Sequence, residues 1–166
     1  DDEKEGGEAG FTSDSEEEGD EDDMLMPLPS NFERSSGTAA SKVEVIALHG
    51  TGTKLGDPVE AGSLTAAVLR KVNETCLVTG IKANTGHTGA AGGLVALLFL
   101  TFNLIQSKAH PHAQLRQMST PVREALKTAF PGVPVAVAPL ASERSVLGAV
   151  SSFGWSGTIV HGVLLR

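Results

Sequence analysis

Apolar alternation along this chain begins in earnest at Val43. Val43, Val45 and Ile46 lie in a short β-prone run that ends at Leu48, just before His49 and a glycine-rich turn. The pattern predicts a strand that delivers a histidine at its C-terminal end. Asp57-Pro58 then opens a helix. Asp57 suits the N-cap, Pro58 suits the first turn, where a missing N–H costs nothing, and Glu60 sits at the third helical position in a capping-box pattern. Leu64, Ala67, Val68 and Val72 give that helix its apolar face through about Lys71. A short strand is predicted over 76–81 and a second helix over 90–105. That helix starts with Ala90, Ala91, Gly92 and Gly93, which supply almost no side-chain volume. Glycine in a helix interior costs roughly 1 kcal/mol relative to alanine, so such a stretch implies close backbone packing. The LVALLFL segment that follows is apolar on nearly every side and predicts burial on more than one face. Residues 106–131 read as an irregular excursion with a short helix within 121–130, stopped by Pro131-Gly132. Strands are predicted over 133–138, 146–151 and 158–165, the last after a glycine-rich turn at 154–157. Strands alternating with helices indicate an α/β layered architecture.

Composition divides the chain in two. Residues 1–23 hold thirteen acidic side chains and one lysine, so the net charge of −7 for the whole chain becomes about +5 over residues 24–166. The acidic run repels itself and has little to bury, which predicts a disordered leader and linker over 1–41 and a folded domain over 42–166. A solubilising role suits the leader better than a basic partner does. The positive charges of the folded part are scattered among few aromatics, which argues against nucleic acid. They suit an acidic carrier partner only weakly. The one cysteine, Cys76, excludes a disulfide framework or a cysteine-based zinc motif. The acidic start is unlike a signal or transit peptide. The apolar run from Ala90 is interrupted at Thr101 and Asn103, short of the roughly 18 uninterrupted apolar residues of a membrane span.

Two motifs carry the candidate chemistry. The first is His49-Gly50-Thr51-Gly52-Thr53, followed by Leu55-Gly56-Asp57-Pro58-Val59-Glu60. Its glycines permit a tight turn, and a histidine there can exchange a proton near neutral pH. A phosphate loop is excluded, because Lys54 is followed by Leu55 and not by Ser or Thr. The second is Lys82-Ala83-Asn84-Thr85-Gly86-His87. It predicts a strand, a polar loop, a histidine and then a helix start, whose dipole favours neutral imidazole at His87. A neutral imidazole can donate a hydrogen bond to developing oxyanion charge. Lys82 holds a carboxylate, supports the histidines, or is a solvated loop lysine. His110 and His112, in an H-P-H pair, read as surface polar residues sooner than as metal ligands.

These motifs resemble the C-terminal half of β-ketoacyl synthases, the condensing enzymes of polyketide and type I fatty acid synthesis. The family pattern runs HGTGT, LGDPxE, KxNxGH and a closing NSFGFGGTNAH. This chain has HGTGT at 49–53, LGDPVE at 55–60, KANTGH at 82–87 and SSFGWSGTIVH at 151–161. The resemblance covers roughly residues 42–166. It implies a thiolase-like α/β layered fold, of which only the C-terminal half is present, and an acyltransferase that performs decarboxylative Claisen condensation. His49 and His87 resemble the two histidines that bind the thioester carbonyl of a malonyl-type extender and stabilise its enolate. Lys82 resembles the lysine of the same site and Glu60 its carboxylate partner. Asn84 and Asp57 resemble loop-shaping residues, Phe153 the aromatic gate of the acyl channel, and His161 a structural histidine. The implied partners are an acyl-carrier protein bearing phosphopantetheine, the N-terminal synthase half, and a second protomer in the complete domain. The implied domain binds no cofactor of its own, spans no membrane and is cytoplasmic, with a plastid as the alternative.

Departures accompany the resemblance. The family's nucleophilic cysteine lies in a DTACSSS-like motif of the N-terminal half, and nothing like it occurs here. Cys76, in ETCLVTG, reads as a small core hydrophobe. The chain is then a piece of a full synthase, a partner for another chain, or an inactive relic. A non-catalytic acyl-binding or scaffold fragment is the alternative reading. Ser151, Trp155, Ser156 and Ile159 depart from the closing pattern, and Ser156 and Ile159 are expected to alter that loop.

Overall fold

The computed structural model describes residues 43–72, 76–129, 131–141 and 145–166. The acidic leader and linker expected over 1–41 lie outside the described residues. Among those described, strand β1 (Val43–Ala47) leads to helix α1 (Gly56–Ala67) and a single 3-10 turn (Leu69–Lys71). Strand β2 (Leu77–Thr79), the short helix α2 (Lys82–Thr85), a 3-10 turn (Gly89–Ala91) and the long helix α3 (Gly92–Gln106) follow. After β3 (Lys108–Ala109), α4 (Thr120–Leu126) and β4 (Ala138–Pro139), the strands β5 (Leu147–Phe153) and β6 (Ile159–Leu165) close the chain.

The main sheet has the order β2-β1-β5-β6. β1 runs parallel to both β2 and β5, and β6 pairs antiparallel with β5. A register shift between Val43 and Val45 turns the strand over locally. Val43 and Ile46 therefore pack toward α1 with Leu64, Val68, Val78 and Leu126, whereas Val45 and Ala47 pack toward α3 with Ala96, Leu100 and Leu104. The sheet is thus covered on both faces, as a largely parallel sheet requires. The chain leaves β1 toward β2 on one side and returns to β5 on the other. The switch falls between β1 and β5, and their carboxyl ends open the crevice where α/β sheets hold ligands.

Small residues let α3 lie close to β5. A Cβ placed on Gly93 would stand 2.9 Å from Ser152 Oγ, and one on Gly148 would stand 2.7 Å from Leu100 Cδ1. The closeness expected of the small-residue stretch is therefore present at Gly93. Burial of α3 on more than one face is not. Gly92, Ala96, Leu100, Asn103 and Leu104 are buried, while Leu94, Leu98, Phe102 and Ile105 are exposed. β6 also exposes Ile159, Val160, Val163 and Leu165, of which Val163 and Leu165 pair with Ala149 and Leu147 on the α1 face of the sheet. The expectation about membranes concerns the same helix. Residues Gly89–Gln106 form a stretch of 18 residues with mean hydropathy 1.7, long and apolar enough to cross a membrane by length and composition. One face of it is packed on the sheet, however, with Asn103 fully buried there.

Two further expectations change. Residues 133–138 alternate like a strand but pair only at their ends, through Gly132 beside Leu77 and through β4 beside β3. Pro134 has no N–H to donate, its carbonyl accepts from His112 N at 3.2 Å, and Val135 and Val137 point to solvent. The polar loop expected over 82–86 is instead the helical turn α2. The hairpin joining β5 to β6 is closed by Gly154 N to Thr158 O at 2.7 Å and Gly157 N to Gly154 O at 3.0 Å. Ile159 pairs with Phe153 as an ordinary ladder residue, so the expected distortion by Ser156 and Ile159 is not seen.

The one-sided burial of α3 is directly measurable by urea denaturation. Leu100→Ala is expected to cost about 2–5 kcal/mol, because Leu100 is wholly enclosed. Leu98→Ser, at a site 60% exposed, is expected to stay within about 0.5 kcal/mol. Equal costs at the two positions would contradict the orientation of the helix.

Candidate functional site

The carboxyl edge of the sheet gathers both histidine motifs. Leu48 continues β1 by one residue, its N–H donating to Thr79 O at 2.8 Å, and packs on the α1 side. Side chains alternate across the strand end, so His49 projects away from Leu48. The turn that follows needs left-handed backbone at Gly50 and Gly52, with φ of 48° and 75°. That conformation aims successive N–H groups inward. Glu60, only 4% exposed, receives two of them: His49 N donates to Oε1 at 2.7 Å and Gly50 N to Oε2 at 2.9 Å. Gly52 N donates to both carboxylate oxygens of Asp57, at 3.1 and 3.2 Å. Thr53 Oγ1 accepts from Gly56 N at 3.0 Å.

These bonds correct the expected capping box. α1 begins at Gly56, so Asp57 and Glu60 already lie inside it. Thr53 serves the first turn, and the two acids hold the histidine turn instead. The expected Lys82–Glu60 ion pair is also replaced. Lys82 Nζ donates to the His49 carbonyl at 2.5 Å. Glu60 grips the same residue at its N–H, and no direct Lys82–Glu60 salt bridge forms. A buried carboxylate already satisfied by two backbone donors leaves the lysine to the carbonyl. The two charges still favour one another across the turn.

His87 arrives from the other motif. α2 presents Lys82 in its first turn, and Gly86, at φ 80°, ends it and redirects the chain. A 3-10 turn then separates His87 from α3. The ring is fixed locally, because Gly89 N donates to His87 Nδ1 at 2.9 Å. A neutral ring that accepts at Nδ1 carries its proton on Nε2. The His49 and His87 rings meet edge-on, with centroids 6.3 Å apart and planes at 88°. Phe153, at the end of β5, lies on the other flank of His49 at 5.2 Å. Both imidazoles, Lys82 and Phe153 thus converge on one place, with Glu60 and Asp57 beneath the turn.

Asn84 stands apart from the histidines. Its Nδ2 donates to Pro111 O at 3.3 Å and its Oδ1 accepts from Ala113 N at 3.4 Å, so it holds the loop around His112. His110 and His112 are half-buried, contrary to the surface role expected of them. Asn103 Oδ1 receives His110 N at 3.1 Å and meets His110 Nδ1 at 2.6 Å. His112 packs on Gly80 and lines a cavity of about 520 Å³ beneath the His49 turn. No sequence signal marked His112, because its position depends on a loop anchored from two distant segments. His161 pairs across the hairpin with Ser151, Oγ to Nδ1 at 2.9 Å.

Burial tunes these groups. His49 titrates below the ordinary imidazole range, chiefly through desolvation, then through Lys82 and His87, against a weaker opposing pull from Asp57. Lys82 is lowered by desolvation, with Glu60 and Asp57 opposing. Cys76 is buried and its thiol is pushed up to about 12, by desolvation and then by Glu44. A thiol in that state is no nucleophile at neutral pH.

Glu60 is raised to about 7, because desolvation outweighs the opposing His49 and Gly50 N–H groups and Lys82. A carboxyl raised in the folded state binds its proton more tightly folded than unfolded. It therefore contributes most stability below its unfolded value near 4.5 and loses that contribution as pH rises toward 7. Urea titrations of the parent between pH 4.5 and 7 are expected to contain this decline, and Glu60→Gln is expected to remove it. An identical slope in the two proteins would contradict the buried carboxyl.

Comparison with known proteins gives this arrangement a family. Residues 21–116 match the model of the β-ketoacyl synthase C-terminal domain. Erythronolide synthase EryA2 of Saccharopolyspora erythraea is 34% identical over 139 residues, covering 78% of this chain and 4% of the relative. Polyketide synthase ThaG of Burkholderia thailandensis is 36% identical over 137 residues, covering 79% of this chain and 2% of the relative. The ketosynthase from module 1 of the bacillaene synthase of Bacillus amyloliquefaciens FZB42 superposes with a TM-score of 0.72 at 26% identity, over 81% of this chain and 25% of that one. The chain therefore spans a small fraction of its curated relatives and about a quarter of a solved ketosynthase. By sequence and by its thiolase-like α/β layering, this chain belongs to the β-ketoacyl synthase C-terminal domain family, in the form found in polyketide synthases.

Proposed function

We propose that residues 42–166 supply the decarboxylating half-site of a polyketide-type condensing enzyme. The observation that carries this reading is the edge-on approach of His49 and His87, with rings 6.3 Å apart, where β1 and β5 end. In the proposed reaction a malonyl-type thioester, held on the phosphopantetheine arm of an acyl-carrier partner, lies with its carbonyl oxygen toward both imidazoles. The bond between the carboxylate carbon and the α-carbon breaks, carbon dioxide leaves, and the electron pair forms the enolate. His87 Nε2–H and the His49 ring hold the oxyanion, a role in which fixed donors act without reorganising. His49 serves as a neutral ring, which its lowered proton affinity favours. The enolate carbon then attacks an acyl thioester on a cysteine, and the thiolate leaves.

Glu60 and Lys82 position His49 in this scheme, because they fix both sides of its peptide. Asp57 fixes the turn at Gly52, and Asn84 fixes the loop at 111–113. Phe153 stands where an acyl chain would pass His49. The cysteine that carries the acyl group belongs to the preceding half of the synthase, since Cys76 is enclosed in the core. The exposed apolar outer face of α3 supports the same assignment, because a surface of that kind marks an interaction site. The complete domain acts as a homodimer and takes no cofactor of its own. The acidic residues 1–41 serve as a solubilising leader, and the protein works in the cytoplasm. The relatives named above, both polyketide synthases, favour polyketide over fatty acid synthesis.

The alternative reading is a non-catalytic acyl-binding fragment, which the enclosed Cys76 favours for the chain by itself. Decarboxylation of a malonyl-carrier thioester separates the two. With an N-terminal ketosynthase half added, the chain is expected to release carbon dioxide. His49→Ala and His87→Ala are each expected to lower the rate by about 10²–10³, the loss typical of one oxyanion donor. No release, or release indifferent to both histidines, would defeat the catalytic reading.

A further inference from the structure

The cavity of about 520 Å³ beneath the His49 turn opens from the proposed reaction site, because His87 and Lys82 line it. It runs away from the side where Phe153 stands. Phe153 and His49 are not among its walls, whereas Leu64, Val122 and Leu126, between α1 and α4, are. Asp57 and Leu64 both line it and lie seven residues apart on α1, so it extends roughly 10 Å along the helix. An apolar cavity of about 150 Å³ holds a benzene ring, so this one has room for an aliphatic group of about six carbons or more.

The polar groups along the cavity call for no charged guest. Asp57 and Glu60 offset Lys54 and Lys82. The two acids already accept N–H groups from Gly52, His49 and Gly50, and Lys82 donates to the His49 carbonyl. Burial lowers the proton affinity of His112, and its ring donates to the Val78 backbone. What is left is an apolar wall made by Leu48, Leu64, Val78, Met118, Val122 and Leu126. A chamber of this kind takes an uncharged aliphatic group and disfavours one with an ionised end.

The proposed reaction supplies one such group. In a malonyl-type thioester the carbonyl oxygen lies at the imidazoles, and the carboxylate leaves the α-carbon as carbon dioxide. The other α-positions hold hydrogen or an alkyl group. An α-alkyl group is uncharged and begins three bonds from the oxygen that His87 holds, and His87 is a wall of the cavity. We propose that the cavity receives a long α-alkyl substituent of the extender, so that this chain accepts 2-alkylmalonyl thioesters up to at least the hexyl compound.

The proposal rests on the condensation reading, and its test separates the two. The chain of residues 1–166, with an N-terminal ketosynthase half added, is given carrier thioesters of malonate, 2-hexylmalonate and 2-(5-carboxypentyl)malonate, and carbon dioxide release is measured. For hexylmalonyl, kcat/KM is expected to be at least about a third of that for malonyl. The carboxypentyl compound is expected to be about tenfold or more poorer than hexylmalonyl, because its terminal carboxylate is buried without a partner. Val122→Trp and Met118→Trp fill the cavity from separate segments. Each is expected to lower the hexylmalonyl-to-malonyl ratio of kcat/KM about tenfold or more, the penalty for a group that no longer fits an apolar pocket. Val122→Phe, a smaller filling, is expected to move the ratio in the same direction and serves if a tryptophan variant fails to fold. If malonyl releases no carbon dioxide, the condensation reading falls and this pocket with it. If malonyl is turned over and hexylmalonyl falls below that third, the pocket alone is overturned. A ratio unmoved by the filling variants, or a carboxypentyl compound as good as hexylmalonyl, also overturns it.

Discussion

The site depends on one buried carboxylate. Glu60 lies under the His49–Gly50 peptide, almost wholly removed from water. Burying a carboxylate is costly unless its oxygens are satisfied, and breaking such an arrangement leaves an uncompensated charge. Here the satisfaction comes from backbone, His49 N and Gly50 N. The turn must therefore point its N–H groups inward, and the left-handed Gly50 and Gly52 make that geometry accessible. With the backbone turned in, the His49 side chain is turned out toward His87 and Phe153. Lys82 completes the clamp from the carbonyl side. The HGTGT and LGDPVE motifs thus form a single structural unit: one supplies the donors and the other the acceptors.

The sheet explains why the second histidine meets the first. β1 and β2 are parallel neighbours, so their carboxyl ends lie at one edge, and the segments that follow them carry His49 and Lys82 to His87. β5, parallel to β1 on its other side, brings Phe153 to the same edge. α3 lies against β5 and β1 closely enough that Gly93 and Gly148 admit no side chain without displacement of a neighbour. Its outer face is as apolar as its inner one and has no cover among the described residues. In a ketosynthase of which this chain spans about a quarter, such a face has more protein available to pack against it.

Much of this was legible in the sequence. Short apolar alternation located β1, β5 and β6, and the Asp57-Pro58 step located α1 to within two residues. The two glycine-flanked histidines announced a site, because motif order carries over where side-chain contacts do not. What escaped was set by partners distant in sequence. Glu60 looked like a capping residue because its spacing from Asp57 fits one, yet the fold offered it better donors eleven and ten residues away. Residues 133–138 alternate like a strand but found little to pair with. α3 looked uniformly buried because composition cannot say which neighbours are present. His112 looked like a surface residue because its burial is created by Asn84, Gly80 and Pro134, none of which lies in its own segment.

The central claim is that the clamped turn presents His49 and His87 together as neutral imidazoles, with His87 donating from Nε2. Long-range proton–nitrogen NMR of the histidine rings tests it most directly, because it reads tautomer and charge for each ring separately. At pH 7 the His87 ring is expected to carry its proton on Nε2, with Nδ1 as the acceptor of the Gly89 N–H. His49 is expected to be neutral and to gain a proton only below the ordinary imidazole range. A His87 ring protonated at Nδ1, or a His49 ring still charged at pH 7, would contradict it.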